Sequence, residues 1–215
     1  MKKQYAVFGL GSFGESVAVT LQSLGCEVVA VDNHMERIEE IANKVSYAMK
    51  ANVGDPEVIR SVGARNLDGV VVATADDMEA SVMATLVSKE LGVPYVLAKA
   101  KTELHAKVLQ KIGADAVIFP EMEMGARVAK NLVAANFTDW ITLSDDYSII
   151  ETMIPKSWVG RSLQDLDVRK NYGVNVVGTK LGEDVEVNPD PAKPLESGTV
   201  MILVGHNEDL ERINK

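Results

Sequence analysis

The sequence predicts an α/β chain in which a doubly wound parallel sheet is followed by a smaller α+β domain, and three observations carry that expectation. Short apolar runs alternate with segments of helical spacing through about residue 120, the first run ends in the turn Gly9-Leu10-Gly11-Ser12-Phe13-Gly14, and beyond Asp139 strand-like runs follow one another with few helices between them. Alternation implies parallel strands with helices on both faces, whereas clustered strands imply a separate, mixed unit.

Tyr5-Ala6-Val7-Phe8 reads as the first strand, and residues 15–24 carry helical spacing after the glycine turn. Strand, turn and helix in that order form the dinucleotide-binding fingerprint in its required context. Gly9 permits the tight turn, Gly11 lets backbone N–H groups approach a pyrophosphate, and Gly14 lets the helix pack close to the strand. A phosphate would sit at the helix N-terminus, where unpaired donors and the dipole favour negative charge. Val28-Val29-Ala30-Val31 is the second strand. It ends at Asp32, roughly 20 residues past the turn, where an acid accepts hydrogen bonds from ribose hydroxyls; the competing role is a helix N-cap.

Residues 47–50, 69–74, 95–98 and 116–119 continue the strands. Between them lie apolar stripes at Val58, Ile59 and Val62, at 81–91, and at Leu104, Val108, Leu109 and Ile112, closed by Gly63, Gly92 and Gly113. Residues 1–122 are therefore expected to form a Rossmann-like nucleotide-binding domain. A crossover or packing helix over 124–135, with Met124, Val128, Leu132 and Val133 near one face, falls in a connecting segment, 123–138. In the remainder, 139–215, the segments 140–143, 148–154, 174–181, 184–187 and 199–204 look like strands, and only 163–170 and 208–213 look helical. A domain of about 75 residues has a marginal core and gains from pairing with another copy.

Composition narrows the function. The 215 residues are 47% hydrophobic and 25% charged with a net charge of −9, and the charges are interspersed without a basic block. Nucleic acid and anionic lipid are poor partners for such a surface. The apolar runs fall far short of the ~20 residues that span a bilayer, and Met1-Lys2-Lys3 leads into a strand rather than a signal peptide, so a cytoplasmic protein without direct membrane insertion is expected. Cys26, the single cysteine, reads as a small apolar side chain.

Ligands of an open parallel sheet bind at the carboxyl ends of its strands. Those ends carry the three glycines with Ser12 and Phe13, then Asp32 and Asn33, Asn52, Ala73, Thr74 and Asp76, Lys99, and Glu121. Asn52 and Asp55 are either site residues or caps of the helix beginning near Pro56. Lys99, a cation ending an apolar strand, must escape to solvent or meet an anion such as phosphate. Glu121 either caps the following helix or holds a divalent cation beside phosphates. His34, His105 and His206 read as surface or capping groups, and no metalloprotease, nucleophile-elbow or Walker motif is present. Ligand sensing therefore leads, and a minimal NAD-dependent oxidoreductase is the alternative.

The whole chain resembles the regulatory subunits of Ktr/Trk-type potassium uptake systems, which join an RCK (TrkA-N) domain to an RCK-C (TrkA-C) domain. The resemblance rests on Gly9 to Gly14, Val31-Asp32, Val96-Leu97-Ala98-Lys99-Ala100, Lys111 to Asp115 with Pro120-Glu121-Met122-Glu123-Met124-Gly125, and Leu143 to Ser148. It implies ATP, ADP or NAD(H) bound without turnover: the glycines and Lys99 on phosphates, Asp32 on ribose, Glu121 on a metal. It also implies a homodimer assembling into an octameric ring beneath a membrane-embedded potassium channel. Many members carry arginine at the position of Ser12, so the resemblance does not carry over a preference for triphosphate. Some bind cyclic di-AMP in the C-terminal domain, which would place Leu163, Arg169, Lys170, Asn175 and Val177 around that ligand; the competing reading is an ordinary helix with cations at its C-terminus.

Overall fold

The computed structural model describes residues 2–63, 66–133 and 137–213. The chain divides into two compact units, Met1–Glu121 and Met122–Lys215.

The first unit is a six-stranded sheet in the order β3-β2-β1-β4-β5-β6. Its strands are β1 (Gln4–Phe8), β2 (Glu27–Asp32), β3 (Tyr47–Lys50), β4 (Gly69–Val72), β5 (Val96–Lys99) and β6 (Ala116–Ile118). All neighbours pair in parallel. The connecting helices are α1 (Ser12–Ser23), α2 (Met35–Ile41), α3 (Pro56–Ser61), α4 (Met78–Glu90) and α5 (Glu103–Lys111). Alternation along β1 explains the double winding. Ala6 and Phe8 pack with Ile59, Ala84 and Leu109 from α3, α4 and α5, while Val7 faces the other way onto Ala18, Ile38 and Ile41 from α1 and α2. The order reverses between β1 and β4, which opens a crevice above their carboxyl ends. Cys26 is half-buried against the α1–α2 side.

α6 (Pro120–Val133) begins at the end of the first unit. It starts four residues before the expected position at 124, since Pro120 is suited to a first helical turn; the expected end at 135 lies outside the described residues. Met124, Val128 and Leu132 are exposed on it.

The second unit is an antiparallel sheet in the order β10-β9-β11-β8-β7. It comprises β7 (Phe137–Thr142), β8 (Tyr147–Met153), β9 (Asn175–Leu181), β10 (Asp184–Val187) and β11 (Val200–His206). Its core gathers Ile150, Trp158, Leu166, Val168, Met201, Leu203 and Leu210. The single helix expected over 163–170 is two short ones, α7 (Leu163–Leu166) and α8 (Val168–Tyr172), separated by Asp167 at φ 42°. Aspartate tolerates the left-handed conformation better than most residues. α9 (Asn207–Arg212) closes the unit.

Candidate functional site

The first unit carries a crevice of about 400 Å³ over the β1–β4 switch point. Gly9, Gly11, Ser12, Phe13, Gly14, Asp32, Asn33, Asn52, Ala73, Thr74, Lys99 and Glu121 all line it. Two glycines are needed by the backbone itself. Gly9 has φ 93° and a Cβ there would lie 2.8 Å from the Thr74 nitrogen, while a Cβ on Gly14 would lie 1.9 Å from the Gly9 carbonyl oxygen. Gly11 differs, because a Cβ on it meets nothing within 4 Å. It is the N-cap of α1 and provides no side-chain acceptor for the first-turn N–H groups, which stay available to an anion.

At the opposite end Asp32 is only 3% exposed, and both its oxygens are engaged. Oδ2 accepts from the Leu10 N–H at 2.6 Å and from Arg37 at 3.1 Å. Oδ1 accepts from the His34 N–H at 2.8 Å and lies 3.0 Å from His34 Nδ1. Burial pushes the Asp32 carboxyl up, but the Leu10 and His34 amides, the His34 ring and Arg37 outweigh it and hold the group below its ordinary 3.8. The N-cap of α2 is His34, so Asp32 is not that cap. The two backbone donors fix the carboxylate at the strand end; Arg37 and the His34 ring, both largely exposed, are the donors a ribose diol would replace.

Asn52 Oδ1 accepts from the Gly54 N–H at 2.9 Å in an Asx turn, and Asp55 is the true cap of α3, accepting from the Glu57 N–H at 2.9 Å. Lys99, 17% exposed, lies 5.9 Å from the Phe13 ring centroid and forms an ion pair with Glu121. That lysine holds the Glu121 carboxyl below its ordinary range. At the rim Lys101 pairs with Asp76 at 2.7 Å and lowers its pKa. Among the described residues no group of three His, Cys, Asp or Glu converges to hold a metal. Glu121 alone fits only a cation brought in on the phosphates themselves.

Sequence reasoning missed Arg37 and Asp77, which also line the crevice. A basic residue in the first turn after the acidic strand end was a signal for Arg37, while Asp77 was readable only as the cap of α4, which it is. His105, expected at the surface or in a cap, is instead 3% exposed inside the first unit, where burial lowers its pKa. His206 does cap α9.

In the second unit a shallow groove of about 480 Å³ brings together Leu163, Arg169 and Asn175 with Asp167 and Val176. Lys170 and Val177 do not line it. The groove is lined by the first residues of α8 and the start of β9, and it ends before Lys170 on the helix and before Val177 on the strand.

The TrkA-N domain family matches residues 5–120 and the TrkA-C domain family matches residues 149–215. The chain is 39% identical over 215 residues to "Ktr system potassium uptake protein C" of Bacillus subtilis (strain 168), covering 100% of this chain and 97% of that protein. It is 39% identical over 208 residues to "Ktr system potassium uptake protein A" of Vibrio alginolyticus, covering 97% and 94% respectively. Among solved structures, "GsuK channel bound to NAD" superposes with a TM-score of 0.68 at 15% identity; the match covers 100% of this chain but 40% of that one, and it speaks to the fold.

Proposed function

The chain belongs to the family of potassium-uptake proteins built from a TrkA-N and a TrkA-C domain, and from that premise we propose that it is a nucleotide-binding regulatory subunit that gates a membrane-embedded potassium transporter. The observation that carries the reading is the crevice. It sets a buried, backbone-oriented carboxylate at one end and, at the other, a helix N-terminus beside Lys99, which suit the ribose and the phosphates of one adenine nucleotide. ATP, ADP and NAD(H) share those two features. The likeness to potassium-uptake proteins rather than oxidoreductases, over essentially the whole chain, favours binding without turnover.

Gating then needs only a difference in affinity between two assembly shapes. Moving an equilibrium from 1:99 to 99:1 takes about 5.5 kcal/mol, so an octameric ring with eight pockets needs only about 0.7 kcal/mol from each. One phosphate contact present in ATP and absent in ADP is of that size. The ion pathway is assigned to the membrane partner; among the described residues no helix is long and apolar enough to cross a membrane.

Calorimetry with ATP, ADP and NADH on the purified chain tests the pocket, and solution scattering with each ligand tests the ring. Saturable binding with different scattering curves for ATP and ADP is expected. Oxidation of NADH with a panel of carbonyl substrates would replace this reading with the oxidoreductase. A second ligand, cyclic di-AMP, is assigned to the groove because it places Arg169 beside the apolar Leu163 and Val176, a match for a phosphate next to an adenine.

A further inference from the structure

We propose, resting on the nucleotide-binding reading above, that Glu121 sets the charge selectivity of the crevice: it holds Lys99 in the empty pocket, so that phosphate binding is an exchange of one anion for another and ligands are penalised in proportion to their phosphate charge.

Four acidic side chains, Asp32, Asp76, Asp77 and Glu121, line the crevice against two basic ones, Arg37 and Lys99. Both cations are already committed, Arg37 to Asp32 and Lys99 to Glu121. Lys101, outside the lining, is committed to Asp76. No uncommitted basic side chain therefore faces the phosphate end among the described residues. An entering phosphate has the backbone donors of the α1 N-terminus at once, but it obtains Lys99 only by displacing Glu121.

The two partners are unequal in a way that makes the exchange feasible. Lys99 is anchored at the end of β5 and 17% exposed, with Phe13 beneath it, whereas Glu121 is 70% exposed in the first turn of α6. The carboxylate can swing into water at little cost, and the ammonium stays where the ligand needs it. Once displaced, Glu121 remains close to the phosphates and repels them, with Asp76 adding to the field. That repulsion grows with ligand charge, so it weighs most on ATP, less on ADP and least on the diester phosphates of NAD(H).

The pair is partly solvated, and such pairs contribute modestly, so the change expected on neutralising Glu121 is a factor of a few rather than orders of magnitude. The test is calorimetry at low ionic strength in EDTA, which removes any cation shared between Glu121 and the phosphates. Glu121→Gln is expected to tighten ATP about fivefold, ADP about threefold and NAD less than twofold. Made in a Lys99→Gln background, the same substitution is expected to gain clearly less. Binding by the wild type with Glu121→Gln neutral or weaker for all three ligands overturns the inference and leaves the nucleotide reading standing. An equal gain for ATP and NAD overturns the charge ranking, and an equal gain with and without Lys99 overturns the exchange. Failure of the wild type to bind any of the three nucleotides overturns the nucleotide reading, and the inference with it.

Discussion

The crevice of the first unit and the groove of the second hold their polar groups in different ways. Asp32 is buried at a strand end with two backbone amides aimed at it, and the glycine turn is shaped by contacts that leave no room for a side chain at Gly9 or Gly14. Arg169 stands instead on the short helix α8, and Asn175 at the exposed start of β9. A ligand entering the crevice finds most of its partners already ordered, whereas one entering the groove must order long side chains itself, at about 0.5–1.5 kcal/mol for each. The crevice is therefore the more preorganised of the two surfaces.

The sharpest way to break that contrast is at the glycines, which divide into two that the fold needs and one, Gly11, that it does not. Gly14→Ala puts a methyl against the Gly9 carbonyl oxygen and is expected to destabilise the first unit by about 3 kcal/mol, read as a fall of about 10 °C in melting temperature. Gly11→Ala, with open space around its Cβ, is expected to stay within about 0.5 kcal/mol of the wild type while weakening nucleotide binding about tenfold, because the methyl takes the space through which a phosphate approaches. A Gly11→Ala protein that binds normally would mean that the pyrophosphate does not approach that turn.

Asp32→Ala comes next in size. It removes a charged acceptor from the ribose, a loss of about 1.5–3 kcal/mol or ten- to a hundredfold in affinity. The same variant leaves the Leu10 and His34 amides without their acceptor, so a lower melting temperature accompanies it. Unchanged affinity for both ATP and ADP in calorimetry would remove Asp32 from the site.

The acid limb of stability tests the same carboxylate without a ligand. Because the Asp32 pKa is lowered on folding, its contribution is complete above the ordinary value of 3.8 and is lost as pH falls through the lower folded value. Denaturant unfolding between pH 5 and about 2.5 is expected to show a steeper loss in the wild type than in Asp32→Asn. Parallel curves would mean that the carboxylate is not held by its donors in solution.

Much of this was legible in the residues. The parallel sheet and its switch point follow from apolar runs punctuated by glycines, and Gly63, Gly92 and Gly113 do adopt positive φ at helix ends. Asp32 and Lys99 could be placed in one crevice because the fold fixes where strand ends point. What could not be read was contact across the fold. The Lys99–Glu121 pair joins residues from different elements, and the Asp32–Arg37 pair depends on how α2 leaves its strand. α1 begins at Ser12 rather than at 15, because the fingerprint turn itself supplies the first helical turn. The break at Asp167 was hidden for a different reason: one residue at φ 42° leaves the apolar spacing on either side of it looking like a single helix.

The smallest expected effect is also the one that tests the groove most directly. Arg169 and Lys170 are neighbours in sequence with the same charge, and of the two only Arg169 lines the groove. If cyclic di-AMP binds there, Arg169→Ala should reduce the rise in melting temperature that the ligand produces, because a guanidinium can pair with a phosphate through two N–H groups. Lys170→Ala should leave most of the rise intact, since a solvated lysine outside the groove contributes only a screened, long-range attraction. Each single charge removed from so exposed a site is worth about 1 kcal/mol or less, so the comparison between the two variants carries more weight than either alone. Equal shifts in both would mean that the ligand sits elsewhere on the second unit, and a larger loss from Lys170→Ala would mean that α8 turns when the groove is filled.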